Sequence, residues 1–497
     1  MHKPPAPPQS ADPEATGMER ALPAASAPRG GASLPGAGTA GKRVYLETLG
    51  CAKNRVDSEI MAGALNRGGY RLTLEPAEAE VIVVNTCAFL GEASQESIDR
   101  ILALSDFKRN GACEKIVCAG CLSQRYGESL LREIAELDGL LGSADFGEIP
   151  ALLDDLYRGA PDDSLRVRVR KKPHYAHYEG QERLQSTPAP YVYVKVAEGC
   201  SNMCSFCNIP LLRGRFSSRA IPDILAEVAG HLERGVKEIN LISQDTSSFG
   251  VERGDGTDLE GLLRALDGLG GQYWVRIFYA YPNTLGSGVM EAIATSAHIV
   301  PYLDIPFQHI SGRVLRDMNR RITEGQIRAK LAELRRILPQ ATLRTTFIAG
   351  FPTESEADFA ALLSFVQEGW FDHAGVFCYS HEDNIPSRRF GDPVPNAIKR
   401  NRRKVLLEAQ QKVSAARNAG RVGLIFPVLV EGPSAESDLL LQGRAPFQGP
   451  EVDGVVYVNE GNAIAGEFHQ VEITEAHAYD LVGRIVSSAA GAQGDGC

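Results

Sequence analysis

Twice along this chain a short β-branched run is followed by a helix-length segment, a rhythm that restricts it to parallel sheets covered by helices. In the first series, "RVYLETLG" (43–50) leads to a helix predicted from Asp57 to Arg67. "EVIVVNTCAF" (80–89) leads to one near 92–108, and "KIVCAGC" (115–121) to one near 128–137. The second series opens with "YVYVKVAEGC" (191–200). Its strands are predicted at 191–196, 237–243, 274–280, 301–307, 343–349 and 374–379. Six βα units are too few for a closed eight-fold barrel and enough for a partial one.

These series set the domain boundaries. Residues 1–40 are rich in Pro, Ala, Gly and Ser. They cannot bury enough apolar surface to offset their ordering entropy, so a disordered tail is expected. An α/β domain follows over 41–157, a polar and basic linker over 158–188, and the second α/β domain over 189–415. The second domain closes with the charged, helix-prone stretch 396–420. From Arg421 the pattern turns to short β runs such as "VGLIFPVLVEG" and "GVVYVNEG". A small all-β barrel or sandwich is expected over 416–484, then a disordered tail over 485–497. No apolar run reaches the roughly 18 residues of a membrane span, and the N-terminus lacks a secretory pattern. A cytoplasmic protein with reduced thiols is expected, so its ten cysteines point to metal or redox chemistry rather than disulfides. A net charge of −10 suits a dedicated nucleic-acid binder poorly.

Cys200, Cys204 and Cys207 share the loop after the first strand of the second domain, in "EGCSNMCSFCNIP" (198–210). Active sites of such folds lie at strand C-termini. Three thiolates can hold three irons of a 4Fe-4S cube and leave the fourth open to a ligand. A zinc site that borrows a ligand from elsewhere is the alternative. Cys51, Cys87 and Cys121 each follow a strand of the first domain, so they converge along one edge of its sheet. They suit a second cluster with one open iron, the alternative being buried structural thiols. Cys113, Cys118, Cys378 and Cys497 receive no role.

The CxxxCxxC loop resembles that of the radical S-adenosylmethionine superfamily. That resemblance implies that the open iron chelates S-adenosylmethionine, which is cleaved to a radical on reduction. It also places Phe206 near the adenine, Gln244 and Asp245 at the amino end of the cofactor, and Gly350 where the cofactor approaches closely. Two trios of cysteines and a C-terminal β domain together resemble the methylthiotransferase family, over about residues 42–484. The implied architecture is an N-terminal cluster-binding domain, a partial (βα)6 radical barrel and a TRAM domain. The implied cofactors are two 4Fe-4S clusters, held by Cys51, Cys87 and Cys121 and by Cys200, Cys204 and Cys207, with S-adenosylmethionine. One S-adenosylmethionine methylates sulfur at the first cluster. A second yields the radical that abstracts hydrogen from the substrate, which then takes up the methylthio group.

"LGCAKNRVDSE" (49–59), "ISQDTSSFG" (242–250), "YLDIPFQHISGRVLRDMNRR" (302–321) and "FIAGFPTESEADF" (347–359) resemble the ribosomal-protein branch of that family. Its substrate is an aspartyl residue, modified at the β-carbon, in the twelfth protein of the small ribosomal subunit. In the tRNA branch Gln-Met-Asn would be expected where Ala52, Lys53 and Asn54 stand. Ala52 departs from the usual Pro, and Thr353 and Ser355 are unusual in the "FPTES" stretch. Between Arg421 and Arg484 ten acidic residues face three basic ones. That balance suits a basic protein partner better than tRNA. The alternatives are a tRNA adenosine methylthiotransferase and a non-catalytic iron–sulfur or zinc-binding adaptor. A reductant such as flavodoxin or ferredoxin is implied, and a monomer is expected. "KRNRRK" (399–404) is expected as a solvated helix face, and Asp304 and His309 as residues flanking a strand end near substrate.

Overall fold

The computed structural model describes residues 41–159, 166–173, 182–437 and 439–486. The tail expected at 1–40, most of the one expected at 485–497, and Cys497 lie outside them. The first sheet has strands β1 (Arg43–Thr48), β2 (Arg71–Thr73), β3 (Val81–Thr86), β4 (Lys115–Gly120), β5 (Gly139–Leu141) and β6 (Val167–Arg168), in spatial order β2-β1-β3-β4-β5-β6. Every pairing is parallel. β3 is buried along its whole length, as the apolar run "VIVV" requires of a strand covered on both faces.

Two local expectations differ from the structure. Helix α1 (Ala52–Arg67) starts directly after Cys51, five residues before the predicted Asp57. The helix expected near 128–137 is reduced to Ser129–Glu133, because Ile134 turns extended at φ −118° and ψ 91° and ends it. The stretch expected as a linker also contributes to the sheet. β6 pairs with β5, and Ser186 donates from both its backbone and its hydroxyl to Glu59 of α1 at 2.8 Å.

The second sheet has strands β7 (Tyr191–Lys195), β10 (Glu238–Ile242), β11 (Trp274–Ile277), β12 (Ile299–Asp304), β13 (Thr342–Ala349) and β14 (His373–Cys378), all parallel and in chain order across the sheet. Between the first two, β8 (Ala197–Glu198) and β9 (Ser217–Ser218) form a small antiparallel pair bracketing the cysteine loop. This is an open six-stranded βα barrel. One face packs on its own helices around Val194, Leu241, Val275 and Phe347. The other is covered by α1 and by the C-terminal domain, through Tyr193, Trp274, Phe278 and Tyr302 with Ile60, Leu429 and Phe468.

The C-terminal domain is a closed five-stranded barrel of β15 (Ile425–Pro433), β16 (Leu441–Arg444), β17 (Val456–Glu460), β18 (Phe468–Ala476) and β19 (Leu481–Ile485), with its own apolar core. Arg444 anchors it to the second sheet, donating to Glu431 at 2.7 Å and pairing with the buried Glu238 at 2.5 Å. No described helix is long and apolar enough to cross a membrane.

Candidate active site

Cys87 and Cys121 directly follow the C-terminal ends of β3 and β4, and Cys51 lies three residues past the end of the neighbouring β1. Gly50, at φ +94°, makes their approach possible, since a Cβ there would lie 2.8 Å from Cys87 Cβ. Asn54, one turn into α1, donates to the carbonyls of Leu49 (2.7 Å) and Thr86 (3.0 Å), fixing the two loops to each other. Burial and the neighbouring Cys121 and Cys51 push the Cys87 thiol up to about 12. Such a trio resists losing its protons together unless a cation shares the site.

The CxxxCxxC loop is clamped from the barrel side. Ser205 donates from its backbone to Met318 O (2.9 Å) and from its hydroxyl to Asp317 O (2.7 Å). Asn319 donates to Met203 O at 2.7 Å. Met203 (φ +54°), Tyr279 (φ +61°), Gln308 (φ +73°) and Asn319 (φ +53°) all adopt left-handed backbone around this region. Such strain persists only where surrounding contacts enforce it, and it collects at functional sites.

Both cysteine sets open into one cavity of about 410 Å³, lined by all six of these residues and by Lys53, Asn54, Phe206, Arg213, Gln244, Tyr279, Gln308 and Arg320 among others. Most of the remaining lining is apolar, including Phe89, Ile209, Leu212 and Phe377. A larger cavity of about 540 Å³ lies between α1 and helix Ile221–Glu233, and no cysteine borders it.

Four cofactor contacts were expected from sequence. Phe206 and Gln244 line the cysteine cavity. Asp245 does not; it is buried beneath, accepting from Asn202 at 2.7 Å, Ser247 at 2.8 Å and Ser248 at 2.6 Å, and so positions Asn202, which does line it. Gly350 stays clear of the cavity, and its φ of +75° and missing side chain leave room for Lys399. Asp304 is buried beside Arg344 at 3.9 Å, and His309 beside Glu354 at 3.4 Å. Lys399 and Arg402 of "KRNRRK" are likewise buried, on Asp392 and Glu354 at 2.6 Å each, so only part of that stretch is a solvated face.

Sequence reasoning missed Lys53, Arg213, Tyr279, Gln308 and Arg320 as cavity residues. Tyr279 and Gln308 follow strand C-termini, and that position was the available signal.

The residues present fit the implied groups. Two trios of convergent thiols are a donor set for iron–sulfur cubes. Among the described residues no three His, Cys, Asp or Glu stand close enough to share a single ion. Gln244 Oε1, Gln308 Oε1 and Arg320 Nε are buried without partners among the described residues, and these acceptors and donor match the ammonium and carboxylate of an amino acid-like ligand.

An open parallel βα barrel with CxxxCxxC after its first strand defines the class of radical S-adenosylmethionine enzymes, and the radical SAM superfamily model matches residues 194–366. Models for the uncharacterized protein family UPF0004 and for the TRAM domain match residues 43–142 and 422–486. The chain belongs to the ribosomal protein uS12 methylthiotransferase family. It is 44% identical over 445 residues to "Ribosomal protein uS12 methylthiotransferase RimO" of Syntrophotalea carbinolica, covering 90% of this chain and 97% of the relative. It is 44% identical over 446 residues to the protein of the same name from Geobacter sulfurreducens, covering 90% and 99%. Among solved structures, the radical S-adenosylmethionine methyltransferase TsrM from Kitasatospora setae superposes with a TM-score of 0.52 at 13% identity, covering 68% of this chain and 73% of that one. The cobalamin-dependent radical enzyme OxsB gives 0.50 at 12%, covering 74% and 56%. At these identities the likeness is one of fold.

Proposed function

We propose that this chain attaches a methylthio group to the β-carbon of an aspartyl residue in the twelfth protein of the small ribosomal subunit. The observation that carries the reading is the opening of two separate cysteine trios into one cavity. A radical site and a sulfur-bearing site that must act on the same carbon need that arrangement. When bound, the two clusters and S-adenosylmethionine supply reductive cleavage, hydrogen-atom abstraction and a transferable methylthio group.

In this reading Cys51, Cys87 and Cys121 hold one cluster, and Cys200, Cys204 and Cys207 the other. Gln244, Gln308 and Arg320 grip the polar end of the cofactor, with Phe206 alongside. Phe89, Ile209 and Leu212 exclude water from their side of the cavity, which protects a reactive carbon centre from side reactions. Asp57, Lys195, Glu198 and Arg213 lock the two cysteine-bearing domains together. Burial alone would raise the Glu198 carboxyl, but Lys195 and Arg213 hold it below its ordinary range.

The acidic C-terminal domain suits a basic ribosomal protein, though part of its charge faces inward. Glu451 meets Arg55 at 3.2 Å and Asp453 meets Arg344 at 3.0 Å. Glu436, Glu460, Glu467 and Glu475 remain exposed. The chain works as a monomer in the reducing cytoplasm, fed by a one-electron donor such as flavodoxin or ferredoxin. The test is anaerobic incubation of the reconstituted protein with S-adenosylmethionine, a reductant and the ribosomal protein. A mass gain equal to methylthio replacing hydrogen on one aspartyl residue is expected. The same gain on tRNA adenosine instead would overturn the reading.

A further inference from the structure

Three cationic side chains line the cysteine cavity, Lys53, Arg213 and Arg320. Two are engaged by the fold. Arg213 donates to Asp57 at 2.7 Å and also binds Asn54. Arg320 donates to Pro306 O, stacks on Tyr281 at 4.2 Å and reaches Cys204 Sγ at 3.6 Å.

Lys53 differs. It is only 8% exposed, yet among the described residues its ammonium makes no hydrogen bond and no ion pair. Its close neighbour is the Tyr279 ring, 3.0 Å from Nζ to the centroid. Among charged groups Cys51 acts on it most strongly, then Asp304 and Glu198, and neither carboxylate comes within ion-pair distance. The Tyr279 hydroxyl also makes no hydrogen bond among the described residues, and its left-handed backbone presents the ring to the cavity. A desolvated ammonium without a hydrogen-bonded carboxylate is costly, and a cation–π contact offsets only part of that cost. Lys53 therefore fits a carboxylate that arrives with a ligand.

We propose that Lys53, oriented by Tyr279, receives the side-chain carboxylate of the target aspartyl residue and thereby places its β-carbon between the two cysteine trios. The carboxyl carbon is bonded to that β-carbon, so anchoring one fixes the other. Lys53 lies two residues beyond Cys51, on the side of the cavity where sulfur would be delivered. This inference rests on the methylthiotransferase reading above. The other carboxylate that enters the cavity is that of S-adenosylmethionine, and the test separates the two sources.

Reconstituted full-length protein is assayed with two peptides of the ribosomal protein, one with the target aspartate and one with asparagine in its place. kcat/KM is read by mass spectrometry, and peptide affinity by fluorescence anisotropy without S-adenosylmethionine. Wild type is expected to favour the aspartate peptide by about 100-fold, the usual worth of a desolvated charge pair. Lys53→Met lowers kcat/KM and affinity for that peptide about 100-fold and leaves the asparagine peptide within about twofold. Lys53→Arg restores most of the preference, and Tyr279→Leu, which removes the ring under the ammonium, loses about tenfold on the aspartate peptide alone. Iron content and melting temperature report folding for each variant, and Lys53→Arg carries the test if Lys53→Met fails to fold. Equal loss on both peptides, or loss of turnover with unchanged peptide affinity, assigns Lys53 to S-adenosylmethionine and overturns the proposal. Unchanged preference also overturns it. Failure of wild type to modify either peptide overturns the methylthiotransferase reading itself.

Discussion

Arg213, six residues past the last cysteine of the CxxxCxxC loop, donates to Asp57 of α1 at 2.7 Å, and both side chains are buried. Asp57 lies on the helix that starts beside Cys51, so this bond ties one cysteine set to the other. Lys195 of β7 completes the network by pairing with Asp57 and, at 2.5 Å, with Glu198. Two carboxylates and two cations share a region closed to water, where the loss of one partner leaves a charge uncompensated.

Arg213→Met is therefore expected to destabilise the iron-free protein by about 3–5 kcal/mol. Arg213→Lys, which cannot span both Asp57 and Asn54, should lose less. Urea unfolding checks both. A loss below about 1 kcal/mol for Arg213→Met contradicts the network's role.

Gly50→Ala should disturb the first cysteine set while leaving the second in place. The new Cβ would meet Cys87 Cβ at 2.8 Å in a backbone with φ +94°, a strain of roughly 1–3 kcal/mol. The expected result is loss of about half the bound iron, read by iron analysis after reconstitution. Full iron loading would show that Cys87 shifts freely.

Arg444 holds Glu238 of the second sheet and Glu431 of the C-terminal barrel. Its replacement by Met should cost about 3–5 kcal/mol. Limited proteolysis should then release the segment after Ala419 faster than in wild type, while the cysteine domains keep their iron. Unchanged cleavage would mean that apolar contacts such as Trp274 with Phe468 suffice to seat the domain.

Acid sensitivity should include a contribution from Glu227. Burial pushes its carboxyl up, but Arg183 at 3.3 Å and Arg219 at 2.6 Å outweigh that and hold it well below the ordinary carboxylate range. A depressed folded-state pKa stabilises above the unfolded value, near 4.3, and that contribution is lost as pH falls below it. Glu227→Gln should thus lower the urea midpoint at neutral pH, with the gap to wild type narrowing below about pH 4. A constant gap across that range would refute the assignment.

The parallel sheets and the cysteine convergence were legible because they depend on local pattern. "VIVV" before Cys87 and "KIVCAG" before Cys121 are apolar on both faces, and the residue after such a strand falls at the sheet edge. What depends on packing between domains was not legible. Nothing near Lys53 in sequence announces Tyr279, some 220 residues away. Arg213 likewise meets Asp57, 156 residues earlier in the chain, only through the fold. The acidic C-terminal composition gave the sign of the surface but not that Asp453 turns inward to Arg344 and His373. Val167–Arg168 was hidden because a two-residue edge strand leaves no periodicity.

Iron and sulfide content decides most directly whether the chain holds two clusters. Anaerobically reconstituted wild type should bind about eight irons, and a Cys200→Ala/Cys204→Ala/Cys207→Ala variant about four. A second variant with Cys51, Cys87 and Cys121 replaced by Ala should also bind about four. About four irons in wild type, unchanged on loss of the first trio, would leave a radical enzyme with one cluster and contradict the sulfur-delivering role of Cys51, Cys87 and Cys121.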